Sequence, residues 1–135
     1  MTRVVLANGV FDLLHYGHLR HLKAARAMGD RLIVSVTRDA YVNKGPGRPV
    51  FNEKQRASMV MALRCVDDVI MVNNSSDAIA LLKPFIFVKG KEYEDKISIE
   101  EQNYCVKHNI LIRFTDEPVF SSTELLHHYD RLRQD

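Results

Sequence analysis

Two histidines three residues apart, His15 and His18, stand in the stretch VVLANGVFDLLHYGHLRHL from Val4 to Leu22, with Gly17 between them. Imidazoles so placed can do three kinds of work. They can donate hydrogen bonds to phosphate, they can bind zinc together with His21, or they can merely cap and cover the start of a helix. Spacing alone leaves all three open. The surroundings favour phosphate. Val4, Val5 and Leu6 read as a short buried strand that Asn8-Gly9 breaks, and Leu19, Leu22 and Ala25 to Ala27 then recur at helical spacing. A helix therefore begins near Tyr16 or Gly17, and the loop before it delivers both histidines to an N-terminus. Free backbone N–H groups and the positive end of the helix dipole attract anions there. Helix direction puts His21 a turn deeper, as a helix-face residue rather than a converging zinc ligand. Gly17 and Asn8-Gly9 let a ligand come close to the backbone.

Further charged residues could join such a site. Lys44 and Arg48 lie in RDAYVNKGPGRP, Arg38 to Pro49, whose two glycines and two prolines favour an irregular, mobile loop. Alone it reads as a solvated loop; beside an anion site, its cations could close over a polyphosphate. Arg56 and Arg64, eight residues apart on one expected helix, would share a face turned to phosphate or to solvent. Asp12 could orient a histidine, help hold magnesium through phosphate oxygens, or make a local turn bond. Ser121-Ser122-Thr123-Glu124 opens a helix by ordinary capping, which also presents N–H groups to an anion. His108, His127, His128, Cys65 and Cys105 carry no such signal.

Alternating strand and helix patterns position these residues. Arg31 to Thr37 reads as a second strand. Asn52 caps a helix from Glu53 to about Arg64 with Ala57, Val60, Met61 and Leu63 inward, and Val69 to Val72 is a third strand. Ser75 or Ser76 caps a helix from Asp77 to Lys83 closed by Pro84, and Phe85 to Val88 is a fourth strand. Ser98 to His108 is a helix with Ile99 and Val106 inward, Ile110 to Phe114 a fifth strand, and a last helix follows from Ser121 with Leu125, Leu126, Tyr129 and Leu132 on one face. Parallel strands need crossovers, and right-handed crossovers put helices on both faces of a sheet. The expected fold is α/β, a single-domain Rossmann-like parallel five-stranded sheet over residues 1–135, with ligands beyond the carboxyl ends of the strands.

The 135 residues suit one domain with a core that needs no disulfide, and two cysteines fit a reducing compartment. A net charge of +2 from mixed signs resembles no nucleic-acid-binding tail, and no apolar run approaches a membrane span or signal peptide. Neither nucleic acid nor membrane is an expected partner, and the expected location is the cytoplasm.

GVFDLLHYGH, Gly9 to His18, resembles the signature of the cytidylyltransferase-like nucleotidyltransferases, a His-x-Gly-His motif after the first strand. Arg48-Pro49-Val50 with Glu53-x-x-Arg56, then Val66-Asp67, Val88-Lys89-Gly90 and Ser121-Ser122-Thr123, is most similar to the adenylyltransferase domain of the bacterial heptose-phosphate bifunctional enzymes. Glycerol-3-phosphate cytidylyltransferase is a more distant likeness. The resemblance implies transfer of a nucleoside monophosphate from ATP or CTP to a phosphorylated sugar or polyol, with release of pyrophosphate, for surface-glycan synthesis. It implies catalytic roles for His15, His18 and Lys44. It assigns nucleotide contacts to Gly9, Val10, Phe11, Lys89, Gly90, Ser121, Ser122 and Thr123, and substrate contacts to Asp12, Arg48, Arg56 and Arg64. Magnesium is the implied cofactor, with no protein-held metal site, and a homodimer the expected assembly. At Pro118-Val119-Phe120 the chain departs from its relatives, which usually carry a glycine two residues before the first serine. The sugar kinase often fused to such relatives has no counterpart here, so the acceptor phosphate is expected from another protein. The rival readings are a non-catalytic nucleotide-binding module and a zinc-dependent hydrolase.

Overall fold

The computed structural model describes residues 1–116. Five strands, β1 (Val4–Gly9), β2 (Arg31–Thr37), β3 (Asp68–Val72), β4 (Ile86–Gly90) and β5 (Leu111–Thr115), form one parallel sheet in the order β3-β2-β1-β4-β5. Between them run α1 (Tyr16–Arg26), α2 (Glu53–Met61), α3 (Ser75–Leu82) and α4 (Ile99–Lys107). The period-2 alternation of β1 and β4 separates two cores. Val5, Ala7, Ile86 and Val88 pack with Leu22 and Ala25 of α1 and Val60 of α2, whereas Leu6 and Phe87 pack with Ala78 and Ile79 of α3 and Cys105 of α4. Helices thus cover both faces, as the alternating pattern requires. Strand order reverses between β1 and β4, so a crevice opens beyond their carboxyl ends.

Several local expectations are corrected. Asn8 and Gly9 do not break β1; they continue it, paired in register with Ser35 and Val36. α2 stops at Met61, which is 46% exposed, so the inward stripe is shorter than the sequence pattern suggests. Asn74, not Ser75 or Ser76, caps α3, its side chain accepting from the Asp77 N–H at 2.9 Å. Ile99 and Val106 of α4 point outward, 67% and 79% exposed. The inner face carries Glu101 and Cys105 instead, because both α3 serine hydroxyls turn to the Glu101 carboxylate, Ser75 Oγ at 2.8 Å and Ser76 Oγ at 2.6 Å. An apolar stripe search cannot find a helix face held by a carboxylate. The helix expected from Ser121 lies outside the described residues. No helix among the described residues is long and apolar enough to cross a membrane.

Glu101 therefore ties α4 to the start of α3. Glu101→Leu should destabilise the protein by about 1–3 kcal/mol, the cost of leaving hydroxyls unpartnered in a half-buried seam, while Glu101→Gln should recover part of it. Urea unfolding of the two variants against the parent measures this, and equal midpoints for all three would refute it.

Candidate active site

The β1–α1 connection builds the centre of the site. Phe11 and Leu13 take left-handed backbone conformations, φ 54° and 52°, which cost a bulky residue about 1–2 kcal/mol each. Burial of the Phe11 ring and the bonds of the residue between them offset that cost. Asp12 is 1% exposed, and its carboxylate accepts from the Val50 N–H at 2.7 Å, the Phe51 N–H at 3.1 Å and Arg48 Nε at 2.8 Å. Burial pushes its carboxyl upward, but the backbone bonds from Val50 and Phe51 and the Arg48 guanidinium outweigh it and hold the pKa below the usual carboxylate value.

His15 is the N-cap of α1 and binds reciprocally with His18. The Gly17 N–H donates to His15 Nδ1 at 3.0 Å, and the His15 N–H donates to His18 Nδ1 at 3.1 Å. Each Nδ1 is thereby an acceptor, so in the neutral rings the proton sits on Nε2 and the ring offers an N–H donor. The rings lie 3.9 Å apart, centroid to centroid, and the edge of Phe11 meets His18 at 5.6 Å. Burial, then the nearby charges of His15, Lys44 and His21, lower the His18 pKa to about 4. Burial and Lys89 lower that of His21 to about 4 as well. Both are neutral donors or acceptors at pH 7.

An open cleft of about 180 Å³ lies over these groups, lined by Asn8, Gly9, Val10, Phe11, His18, His21, Thr37, Lys44, Lys89, Gly90, Glu92 and Tyr93. It brings together seven sequence-assigned residues: Gly9, Val10, Phe11, His18, Lys44, Lys89 and Gly90, with His15 against His18. Lys44 enters from the exposed loop, whose Gly45 and Gly47 take φ of 93° and 76° that side-chain-bearing residues avoid. Lys89 Nζ reaches Asn8 O at 3.2 Å and Asn8 Oδ1 at 3.4 Å, and stands 4.6 Å from the centre of the Tyr93 ring. Its pKa is lowered by burial, against the opposing pull of Glu101 and Glu92.

Three assigned residues sit behind the cleft wall rather than in it. Asp12 is committed to the loop root. Arg48 Nε is paired with Asp12, and its Nη2 is buried with no hydrogen-bond partner among the described residues. Arg56 is 0% exposed and donates to Val10 O at 2.7 Å, Phe51 O at 2.9 Å and Asp39 Oδ1 at 2.7 Å. That guanidinium holds the floor of the cleft and the loop together. Arg64 is not brought near: α2 ends before it, and it lies exposed in the turn leading to the amino end of β3, opposite the cleft. Ser121, Ser122 and Thr123, like Pro118-Val119-Phe120, fall outside the described residues.

Sequence reasoning missed Thr37, Glu92 and Tyr93, gave Asn8 only a place where a ligand can approach the backbone, and gave His21 only a helix face. His21 Nδ1 lies 2.8 Å from Thr115 Oγ1 at the end of β5. A strand-end position was the available signal for Asn8 and Thr37. Nothing in the pattern marks Glu92 or Tyr93, which follow β4 in a short 3₁₀ turn (Lys91–Tyr93). Among the described residues no group of three His, Cys, Asp or Glu converges that could hold a metal ion.

The Cytidylyltransferase-like family description matches residues 6–129. The chain belongs to the cytidylyltransferase-like family of nucleotidyltransferases. Over 101 residues it is 44% identical to the bifunctional protein HldE of Campylobacter jejuni subsp. doylei, covering 72% of this chain and 22% of that protein. HldE of Methylobacillus flagellatus is 44% identical over 100 residues, 70% of this chain and 20% of its own. The chain thus spans about a fifth of the length of these curated relatives. Among solved structures, a lipopolysaccharide core biosynthesis protein from Thermoplasma volcanium superposes with a TM-score of 0.72 at 31% identity, covering 85% of this chain and 98% of that one. Pantothenate synthetase from Thermus thermophilus, at 13% identity and TM-score 0.61 over 84% of this chain and 55% of its own, shares the fold.

The buried neutral histidines make stability depend on pH. Between about 6.5 and about 4 the unfolded chain binds protons at His18 and His21 that the folded chain refuses, so stability should fall as pH drops through that window. The slope should be on the order of 1 kcal/mol per pH unit for each histidine. Chemical denaturation at pH 7.5, 6 and 5 reads it, and His21→Phe should shallow it; a flat profile would show that these rings are not held neutral.

Proposed function

We propose that the chain transfers a nucleoside monophosphate from ATP or CTP to a small phosphorylated sugar or polyol, of the heptose phosphate or glycerol 3-phosphate type. It would release pyrophosphate and act in the cytoplasm on the route to surface glycans. The observation that carries this reading is the reciprocal cap of His15 and His18 at the start of α1, which leaves the proton of each neutral ring on Nε2 and sets His18 in the cleft with Lys44. The HldE relatives and the Thermoplasma protein named for lipopolysaccharide core biosynthesis support the sugar class, and the HldE likeness favours ATP.

In the proposed reaction an acceptor phosphate oxygen attacks the α-phosphorus, a new P–O bond forms, and the bond to the β-phosphate oxygen breaks to free pyrophosphate. The acceptor's second pKa lies near 6, so at pH 7 it is mostly a dianion and no general base is needed. Asp12 fits this account, since its oxygens are already used by Val50, Phe51 and Arg48. His15 and His18 would donate to the oxygens on which charge grows, and Lys44 would neutralise the outer phosphates from its loop. Magnesium belongs to this reading only as the counter-ion that a triphosphate brings with it.

A zinc-dependent hydrolase is disfavoured because the Nδ1 atoms of both histidines are spent on backbone N–H groups. A binding module without catalysis is the rival reading, and turnover separates the two. His18→Ala should lower kcat by about 10²-fold or more, with a smaller change in nucleotide affinity. Pyrophosphate release from a panel of triphosphates and sugar phosphates measures it. Turnover within about threefold of the parent would end the catalytic assignment.

A further inference from the structure

His21 is a buried titratable side chain that the transfer reaction leaves without a task. It sits on the inner face of α1 beside Leu22 and Ala25, only 8% exposed, where a leucine would pack at no polar cost. Its Nδ1 lies 2.8 Å from Thr115 Oγ1, at the last residue of β5 and 94 positions along the chain, and Thr115 is 2% exposed. A histidine kept only for packing would have both ring nitrogens satisfied inside the protein. His21 does not. Nε2 has no partner among the described residues, yet it is not walled in, and the residue lines the cleft with His18 and Lys44. Nε2 therefore opens on the cleft.

The Thr115 hydroxyl decides which form that nitrogen takes. Among the described residues its side-chain partner is His21 Nδ1. Were an Nδ1–H to donate to the oxygen, the hydroxyl hydrogen would be buried with no acceptor. With the hydroxyl donating to Nδ1, only spare lone pairs remain and both donors of the pair have a use. The proton of the neutral ring then stands on Nε2. Burial and the charge of Lys89 keep the ring neutral at pH 7, so it carries a single N–H.

We propose that His21 is a third imidazole donor of this site, its Nε2–H given to a phosphate oxygen of the bound nucleotide, and that Thr115 is the positioning residue that fixes its tautomer. Thr115 then does for His21 what the start of α1 does for His15 and His18, whose Nδ1 atoms also accept. A phosphate is the fitting acceptor because the same wall carries His18, Lys44 and Lys89, a set of donors suited to an oxyanion. This rests on the nucleotidyl-transfer reading for the presence of a nucleotide, and it deepens that reading by adding a residue outside the His-x-Gly-His motif.

Proton–nitrogen correlation spectra of the imidazoles in the full chain read the tautomer directly, and His21→Phe identifies the His21 signals among the six histidines. The parent should show a bare Nδ1 and a protonated Nε2 at His21. Inorganic pyrophosphate and ATP should both move the Nε2 signal, and adenosine should leave it in place. By calorimetry His21→Phe should bind ATP about tenfold more weakly, the scale of one hydrogen bond to a charged group. Thr115→Val should lose the fixed tautomer and weaken ATP by about threefold or more, while Thr115→Ser, which keeps the hydroxyl, should restore both. A protonated Nδ1 in the parent overturns the proposal, as does an Nε2 signal that saturating ATP leaves unmoved or that adenosine alone moves. A serine variant as weak as the valine one overturns the part given to Thr115. Should His21→Phe fail to fold, the parent spectra decide, with the signals assigned through the backbone. Pyrophosphate release, measured separately, tells the two readings apart. An Nε2 that answers to ATP without release removes the transfer reaction and leaves the donor standing, whereas release with a silent His21 does the reverse.

Discussion

The buried carboxylate of Asp12 is the contact on which the rest of the site depends. A carboxylate taken out of water is costly unless several donors meet it, and Asp12 receives two backbone N–H groups and a guanidinium from one segment, Arg48 to Phe51. That geometry exists only if the chain after β1 turns through the left-handed conformations of Phe11 and Leu13. The same turn sets where His15 begins α1. One interaction therefore fixes the strained turn, the start of the helix and the far root of the Lys44 loop. Arg56 does the corresponding work from beneath, clamping Val10, Phe51 and Asp39.

The basic residues divide into two populations that sequence does not separate. Arg48 and Arg56 look like substrate ligands by type and position, yet Asp12 and backbone carbonyls spend much of their donor capacity on architecture. Lys44 and Lys89 keep donors facing the cleft. The framework was legible because buried strands and capped helices leave periodic signals: β2 falls on Arg31–Thr37 as its pattern predicts, and Asn52 caps α2. The histidine pair was legible because its spacing is short and local. Arg64 was misplaced because α2 stops three residues early, and Ile99 and Val106 because Glu101 found hydroxyl partners on another helix. The second outcome comes from tertiary contacts across 25 or 26 residues, which no window on the sequence contains.

Electrostatically the cleft mixes neutral rings with fixed charges. His18 and His21 are held neutral by burial, and Lys44 and Lys89 line the same cleft. Neutral N–H donors can strengthen their bonds as charge develops without binding the ground-state anion so tightly that product release suffers. The cost is borne by the fold, which keeps polar rings inside it.

His15 makes that cost specific. An N-cap position prefers serine, asparagine or aspartate, whose short side chains satisfy the first backbone N–H groups, and here an imidazole takes that part, His15 Nδ1 accepting from the Gly17 N–H at 3.0 Å. Were the demand for turnover to lapse, drift toward the better caps would be rewarded by a firmer fold while erasing an Nε2–H donor in the same step. A serine or aspartate at this cap would keep the helix start and remove that donor, so one position separates what the fold asks of the residue from what the proposed chemistry asks.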